Sequence, residues 1–446
     1  MTTTGTVARS MLEQEARALL SRLGRIKPFV LHETMVPAAQ LSPSAQTAIE
    51  AFLMEGRREL RRRTRSYLEW LRGPGRHATP EEMQKRFTLV RLRFNDLLSQ
   101  FDLFADAITQ RSEHEMGVFL AGLDVASADA LRLSGGYFEP PPVLCYLDRG
   151  PGAAIRRART RLPGGKENPA AIVRVPRERM VGHGIGSSLV HECGHQVAAL
   201  LDLVPSLRVA LQQQQRSRPA EERPAWLMYE RWISEIVADY WSISRVGLAS
   251  TLGLIGVVSL PRWFVFRINT DDPHPTPWLR VMLSASIGRA LYPHPQWDEL
   301  ADVWQQLYPL RGLDAPRRAL VDAQLKLMPP FVSFFLAHRP ATLRGRSLGE
   351  IGRLSDRAPA KLDQLQTRWG GDPRRMRAVS PMLVFAALGQ ARARGRLSPE
   401  RESRILRELL VYWALRSSLN IPAVSYAGQR LPHKPKPAPK QPALAV

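Results

Sequence analysis

The stretch "GSSLVHECGHQVAALL", residues 186–201, places two histidines and a glutamate inside an apolar helical run. Val190, Val197, Leu200 and Leu201 have the 3.6-residue spacing of a buried helix face, yet His191, Glu192 and His195 interrupt it with groups that are costly to bury unpaired. The three fit H-E-x-x-H, whose i and i+4 positions put both imidazoles on one face of a helix. Two neutral imidazole nitrogens at ~2.0–2.1 Å each take a corner of a tetrahedral zinc site, and Glu192 reaches a water on the metal. The polar groups are therefore expected to be buried against Zn2+ and its water. Ala198 and Leu201 stand where the longer metzincin signature needs Gly and His, which excludes that branch. Cys193 lies off the ligand face and reads as a packed thiol. His183 reads as a loop residue, and Ser187 or Ser188 as the helix cap.

A catalytic zinc site needs a third protein ligand. Downstream, "YERWISEIVADYWS", residues 229–242, offers Glu235 and Asp239 four apart on one helical face. That spacing predicts Glu235 as the ligand and Asp239 as acceptor of a hydrogen bond from the far nitrogen of His191. Glu230 competes for the third position. The strand candidate upstream, "AAIVRV" at residues 170–175, is expected to bind an extended substrate by accepting it as an added strand.

"HECGH" followed by "EIVAD" resembles the gluzincin zinc metallopeptidases, and the E-x-x-A-D form is most similar to the HtpX / CAAX prenyl endopeptidase family. "DDPHPTPWLR", residues 271–280, matches an H-P element followed by Arg, here His274, Pro275 and Arg280. The resemblance covers roughly residues 165–285. It implies an α+β chain with a zincin-like catalytic domain: a small β-sheet with an edge strand upstream, an HExxH active-site helix, a Glu-bearing helix, and a basic pair facing the substrate. The implied activity is a zinc-dependent endopeptidase in which Glu192 is the general base toward a zinc-activated water and His274 or Arg280 donates to the oxyanion. That family carries several transmembrane helices. In this chain the longest uncharged apolar stretch, Gly247 to Leu260, has 14 residues and reads as a buried or interfacial segment.

The flanks are helical. Ile49, Leu53, Leu60, Tyr67, Leu68 and Leu71 mark one apolar face, and Phe94, Leu97, Leu98, Phe101 and Ile108 another, with Thr79 capping and Pro80 opening the second helix. The expected organisation is an α-helical N-terminal domain (1–130), the metallopeptidase domain (131–300), an α-helical region (301–420) and a disordered Pro/Lys-rich tail (421–446). Short strands are expected at Val143–Leu147 and Ala170–Val175.

Net charge is +22, but the basic residues are mostly Arg, with eight Lys, a skew that base composition alone can produce. A basic nucleic-acid-binding protein, gripping phosphates through "GRRELRRRTR" at residues 56–65, is a rival reading; no aromatic residue interleaves that run, which disfavours it. A second rival is a catalytically silent zinc-binding scaffold, against which stands the intact Glu192. Two cysteines and no apolar secretory core at the N-terminus point to a reducing, cytoplasmic setting. The expected partner is a protein or peptide substrate, with peripheral membrane contact left open.

Overall fold

A computed structural model of the chain describes residues 3–26, 30, 35–148, 153–162, 166–177, 182–269 and 271–428. The architecture is α+β in the broad sense, mostly helical with one small sheet. Four helices come first: α1 (Thr3–Arg25), α2 (Pro43–Arg72), α3 (Pro80–Thr109) and α4 (His114–Ala130). Strands β1 (Val143–Asp148), β2 (Ala154–Arg156) and β3 (Ala171–Pro176) follow. The central helices are α5 (His183–Leu200), α6 (Leu203–Arg216), α7 (Arg223–Arg231), α8 (Ile233–Val246), α9 (Leu248–Val258), α10 (Arg262–Val265) and α11 (Pro277–Leu291). The rest are α12 (Gln296–Leu307), α13 (Ala315–Ala337), α14 (Leu348–Gly352), α15 (Pro359–Trp369), α16 (Pro381–Ala393) and α17 (Pro399–Gly428).

Local signals act where the sequence puts them. Thr79 caps α3 by accepting from the backbone of Glu82, Pro80 takes the first helical position, and Glu81 and Glu82 complement the positive end of the helix dipole. The two predicted strands form β1 and β3. The sheet order, however, is β1-β3-β2, with β1 parallel and β2 antiparallel to β3. The segment expected to be the edge strand is thus the central one, paired on both sides. Burial on both faces explains its almost unbroken apolar run, which composition could not separate from an edge.

Alternation along β1 and β3 divides the two cores. Leu144 and Ile172 face the core of α1–α3, whereas Cys145 and Val173 face the larger core around α5 and α8. The outer side of β1 is closed by side chains. Gln110 pairs with both the N–H and the C=O of Leu147 at 2.9 Å, Asp124 accepts from the Cys145 N–H at 2.7 Å, and Arg111 donates to the Cys145 carbonyl at 2.6 Å. The outer side of β2 has no strand partner among the described residues.

The expected domain boundaries shift. Helix α4 contributes Leu120, Leu123 and Ala126 to the larger core, so the N-terminal bundle ends before it. The C-terminal helices do not form a separate layer: α16 lays Phe385 against Gly186 of α5 and packs Gly389 on Ala249 of α9. Amphipathic patterning shows that a helix buries a face, not which core receives it. Helix α17 continues through residues 421–428, expected to belong to the tail, and 429–446 lie outside the described residues. Among the described residues one helix, Ala315–Ala337, is long and apolar enough to cross a membrane by length and composition. Its Phe331 is buried and stacks on Tyr229 with ring centroids 3.9 Å apart. The Gly247–Leu260 stretch forms α9, which packs between α5 and α16.

Arg111 is fully buried and pairs with Asp124 at 2.9 and 3.1 Å. Replacing it with Met leaves a buried carboxylate and a strand carbonyl uncompensated. Arg111→Met is expected to cost roughly 3–5 kcal/mol in urea unfolding, and a loss within error of zero would show that the β1 edge does not depend on this pair.

Candidate metal centre

Helices α5 and α8 cross at a glycine. A Cβ on Gly194 would stand 2.8 Å from the Ala238 Cα and 3.0 Å from the Trp241 Cβ, so only glycine admits this approach. On the next face of α5, a Cβ on Gly253 of α9 would overlap the Ser187 side chain. These contacts set His191 and His195 opposite Glu235, which lies in the first turn of α8, where the helix dipole favours a carboxylate.

The convergence is specific to one nitrogen of each ring. His191 Nε2 lies 3.3 Å from Glu235 Oε2, and His195 Nε2 lies 3.4 Å from Glu235 Oε1. The two approaches are to different oxygens of Glu235, so the carboxylate lies between the two imidazole nitrogens at distances near the roughly 3.3 Å that separates two ligand atoms each ~2.0–2.1 Å from a tetrahedral ion. One ligand atom from each of the three residues lies within 4.8 Å of the others, a group that could hold a metal ion. The far nitrogens are held from outside: His191 Nδ1 meets Asp239 Oδ1 at 2.8 Å, and Ser234 Oγ stands 3.5 Å from His195 Nδ1. Glu230 is elsewhere, accepting from Gln212 and Gln215 at 2.8 and 2.7 Å.

Arg280 lines the same cavity as Glu192 and His274 and is held there by carboxylates. Its Nε donates to Asp239 Oδ2 at 2.7 Å, and one terminal nitrogen donates to Asp239 Oδ1 at 2.8 Å and to Glu235 Oε2 at 3.3 Å. The guanidinium therefore braces the carboxylates behind the imidazoles. His274, half-exposed, points Nε2 at Glu235 Oε2 from 3.4 Å, and Asp272 accepts from both its Nδ1 at 2.7 Å and its backbone N–H at 3.0 Å. Asp272 was missed at the sequence level, although the D-x-H spacing was visible in "DDPHP". Glu192 is buried, has no hydrogen-bond partner among the described residues, and lines a cavity of about 150 Å³ shared with His191, His274, Arg280 and Ala153.

Burial dominates the electrostatics and the partners decide its outcome. Burial raises the Glu192 pKa from its ordinary value, the direction a proton-exchanging carboxyl needs. Burial opposes charge on His191, but the hydrogen bond and charge of Asp239, then Glu235, push it up to about 10. Burial and the neighbouring His191 push His195 down to about 4. Burial works against Glu235 too, yet His191 and Arg280 hold it down to about 2. With both imidazoles neutral, the buried carboxylates Glu192, Glu235 and Asp239 outnumber Arg280 by two charges, which a divalent cation cancels.

Other sequence expectations move. His183 is the first residue of α5, not a loop residue, and lies 3.4 Å from the buried Glu402. Gly182 holds the cap position with φ 57°, so neither Ser187 nor Ser188 caps the helix. Cys193 is fully buried, donating toward the Ser127 carbonyl. Gln196 had no assigned role; its side chain accepts from the Ala158 N–H at 2.7 Å and ties the segment after β2 to the helix bearing both histidines. No family model, curated protein or solved structure matches the chain.

His191→Ala or His195→Ala is expected to abolish stoichiometric zinc, and Asp239→Asn to weaken it roughly 10- to 100-fold; full zinc retention by elemental analysis in both histidine variants would remove the site. A metal ion taken up by this group would have to displace the proton that Asp239 and Glu235 hold on His191, whereas His195 is already neutral above about pH 4. Affinity should rise roughly tenfold per pH unit between about pH 5 and 9, with about one proton released. Calorimetry in buffers of different ionisation enthalpy reads that proton directly.

Proposed function

We propose that the chain is a zinc-dependent endopeptidase with a zincin-like catalytic core. The observation that carries this reading is the convergence of His191 Nε2, His195 Nε2 and both Glu235 oxygens beside a buried Glu192 that faces a cavity without a partner. His191, His195 and Glu235 hold the ion. Zn2+, when bound in such a set, acts as a Lewis acid on the scissile carbonyl and brings the pKa of water to about 7.

Glu192 takes the proton of the attacking water and returns it to the leaving amine, for which its burial-raised pKa suits it. His274, held at Nδ1 by Asp272, is the group placed to contact the oxyanion that develops on the substrate carbonyl. Asp272 fixes the orientation of the ring. Arg280 keeps Asp239 and Glu235 ionised and in place. The peptide is taken up as an added strand along β2, not along β3 as its sequence suggested. Support for this comes from Ala153, which directly precedes β2 and lines the same cavity as Glu192, and from the filled outer edge of β1. Substrate is then a polypeptide in extended conformation.

The test is a casein and peptide-library digest with zinc measured in the same samples. Glu192→Gln should keep its zinc and lose hydrolysis by ~10²- to 10⁴-fold. Asp272→Asn should keep zinc and lower kcat while leaving KM nearly unchanged. Equal cleavage by wild type and Glu192→Gln would sink the mechanism, and retained zinc with no cleavage in any sample would favour the scaffold.

A further inference from the structure

The arginine run at 56–65 and the aromatic end of α2 meet α3 in a feature that the metal centre does not use. A groove of about 740 Å³ lies between the two helices, with Arg62, Arg63, Tyr67 and Trp70 on one side. Arg86, Leu89, Leu92 and Arg93 form the other. Its volume is in the range of ligand-binding clefts, roughly 300–1,000 Å³. Leu89 and Leu92 are 62% and 54% exposed, two of the most open large apolar side chains of the described residues.

The charge of the groove is one-sided: four arginines and a single acid, Asp96, line it. Arg86 and Arg93 each spend one terminal nitrogen on a carboxylate, Glu82 at 3.2 Å and Asp96 at 3.5 Å, and Arg63 spends its Nε and one terminal nitrogen on Glu59, at 2.8 and 2.6 Å. A guanidinium has five N–H donors, so most remain available. Arg62 has no ion-pair partner among the described residues. An acidic ligand is the complement.

The aromatic rings say which kind. Nucleic acid would need an open ring face for stacking. The Trp70 ring is covered by the Arg86 guanidinium, 4.1 Å from its centroid, and packs so closely on Gly75 that a Cβ there would stand 2.6 Å from it. Tyr67 packs on Phe87 and donates its hydroxyl to the Met83 carbonyl. What the groove offers is an apolar floor with cations on its rim and no stacking platform. A planar bilayer fits a convex ridge better than a cleft between two helices. The chain's own residues 429–446 are basic and are excluded by charge.

We propose that the α2–α3 groove docks an acidic amphipathic segment of a partner protein, its apolar side chains against Leu89 and Leu92 and its carboxylates on Arg62, Arg63, Arg86 and Arg93. The bundle packs on the Leu144/Ile172 face of the sheet, whereas α5 lies on the other face, so docking leaves the metal centre free. The proposal does not depend on peptidase activity.

The probe is a labelled amphipathic peptide of Glu, Leu and Ala with Leu at helical spacing, followed by fluorescence anisotropy on the full chain. Arg62→Glu with Arg93→Glu, and separately Leu89→Gln with Leu92→Gln, should each weaken binding roughly tenfold or more. Zinc content and melting temperature should stay unchanged, because all four residues are exposed. Added salt should weaken binding to the wild type. The Leu pair keeps the test decisive if the charge reversals disturb folding. Equal peptide binding by wild type and both double variants overturns the proposal. So does a result in which a single-stranded oligonucleotide, or vesicles containing phosphatidylserine, bind the wild type and lose binding in the variants while the peptide does not bind.

Discussion

The approach of Gly194 to Ala238 is the constraint on which the centre of the molecule depends. One methylene at Gly194 would push α8 away from α5, and Glu235 would leave the reach of the two imidazoles. A donor set for a small ion tolerates displacements of only a few tenths of an ångström, so a helix crossing that shifts by more than this has no site. The surrounding packing serves the same crossing. Gly253 lets α9 close on Ser187, Phe385 of α16 fills the space over Gly186, and the Trp241 indole donates to the Ala130 carbonyl, pinning α8 to α4. Elements from both ends of the chain thus meet around one interhelical contact.

Charge burial is the second constraint and works against the first. Packing α5 tightly on α8 buries the carboxylates Glu192, Glu235 and Asp239 and largely covers His191 and Arg280. Buried ion pairs return little net stability unless their hydrogen bonds are complete. The bidentate contact of Arg280 with Asp239 and the Asp239–His191 bond supply that completeness for four of the groups. Glu192 is the exception. Its carboxylate lies beside the network without joining it and faces the cavity instead.

The sheet is small but divides the molecule. Its β1 edge is closed by Gln110, Arg111 and Asp124, which imitate a fourth strand with side-chain groups and remove a pairing edge. Among the described residues that leaves β2 as the edge without a strand partner, next to Ala153, which lines the cavity that Glu192 faces. The N-terminal bundle rests on the opposite face of the sheet and gives the molecule a second surface with its own chemistry.

Much of this was legible one element at a time. The HExxH spacing put both histidines on one helical face, the E-x-x-A-D spacing put Glu235 and Asp239 on another, Thr79 and Pro80 fixed the start of α3, and the apolar runs marked β1 and β3. All of these follow from periodicity and capping, which depend on neighbours a few residues away. Strand order, the contact that makes Gly194 necessary, the placement of Arg280 behind Asp239 and the docking of α16 on the helix that bears both histidines involve residues far apart in the chain. Apolar alternation is the same for an edge and a central strand, a glycine in a helix carries no label naming the helix that will touch it, and a buried arginine matches any nearby carboxylate. The sequence by itself determined which side chains share a face; only the tertiary structure decided which faces meet, because that choice is made by the shape and packing of whole elements.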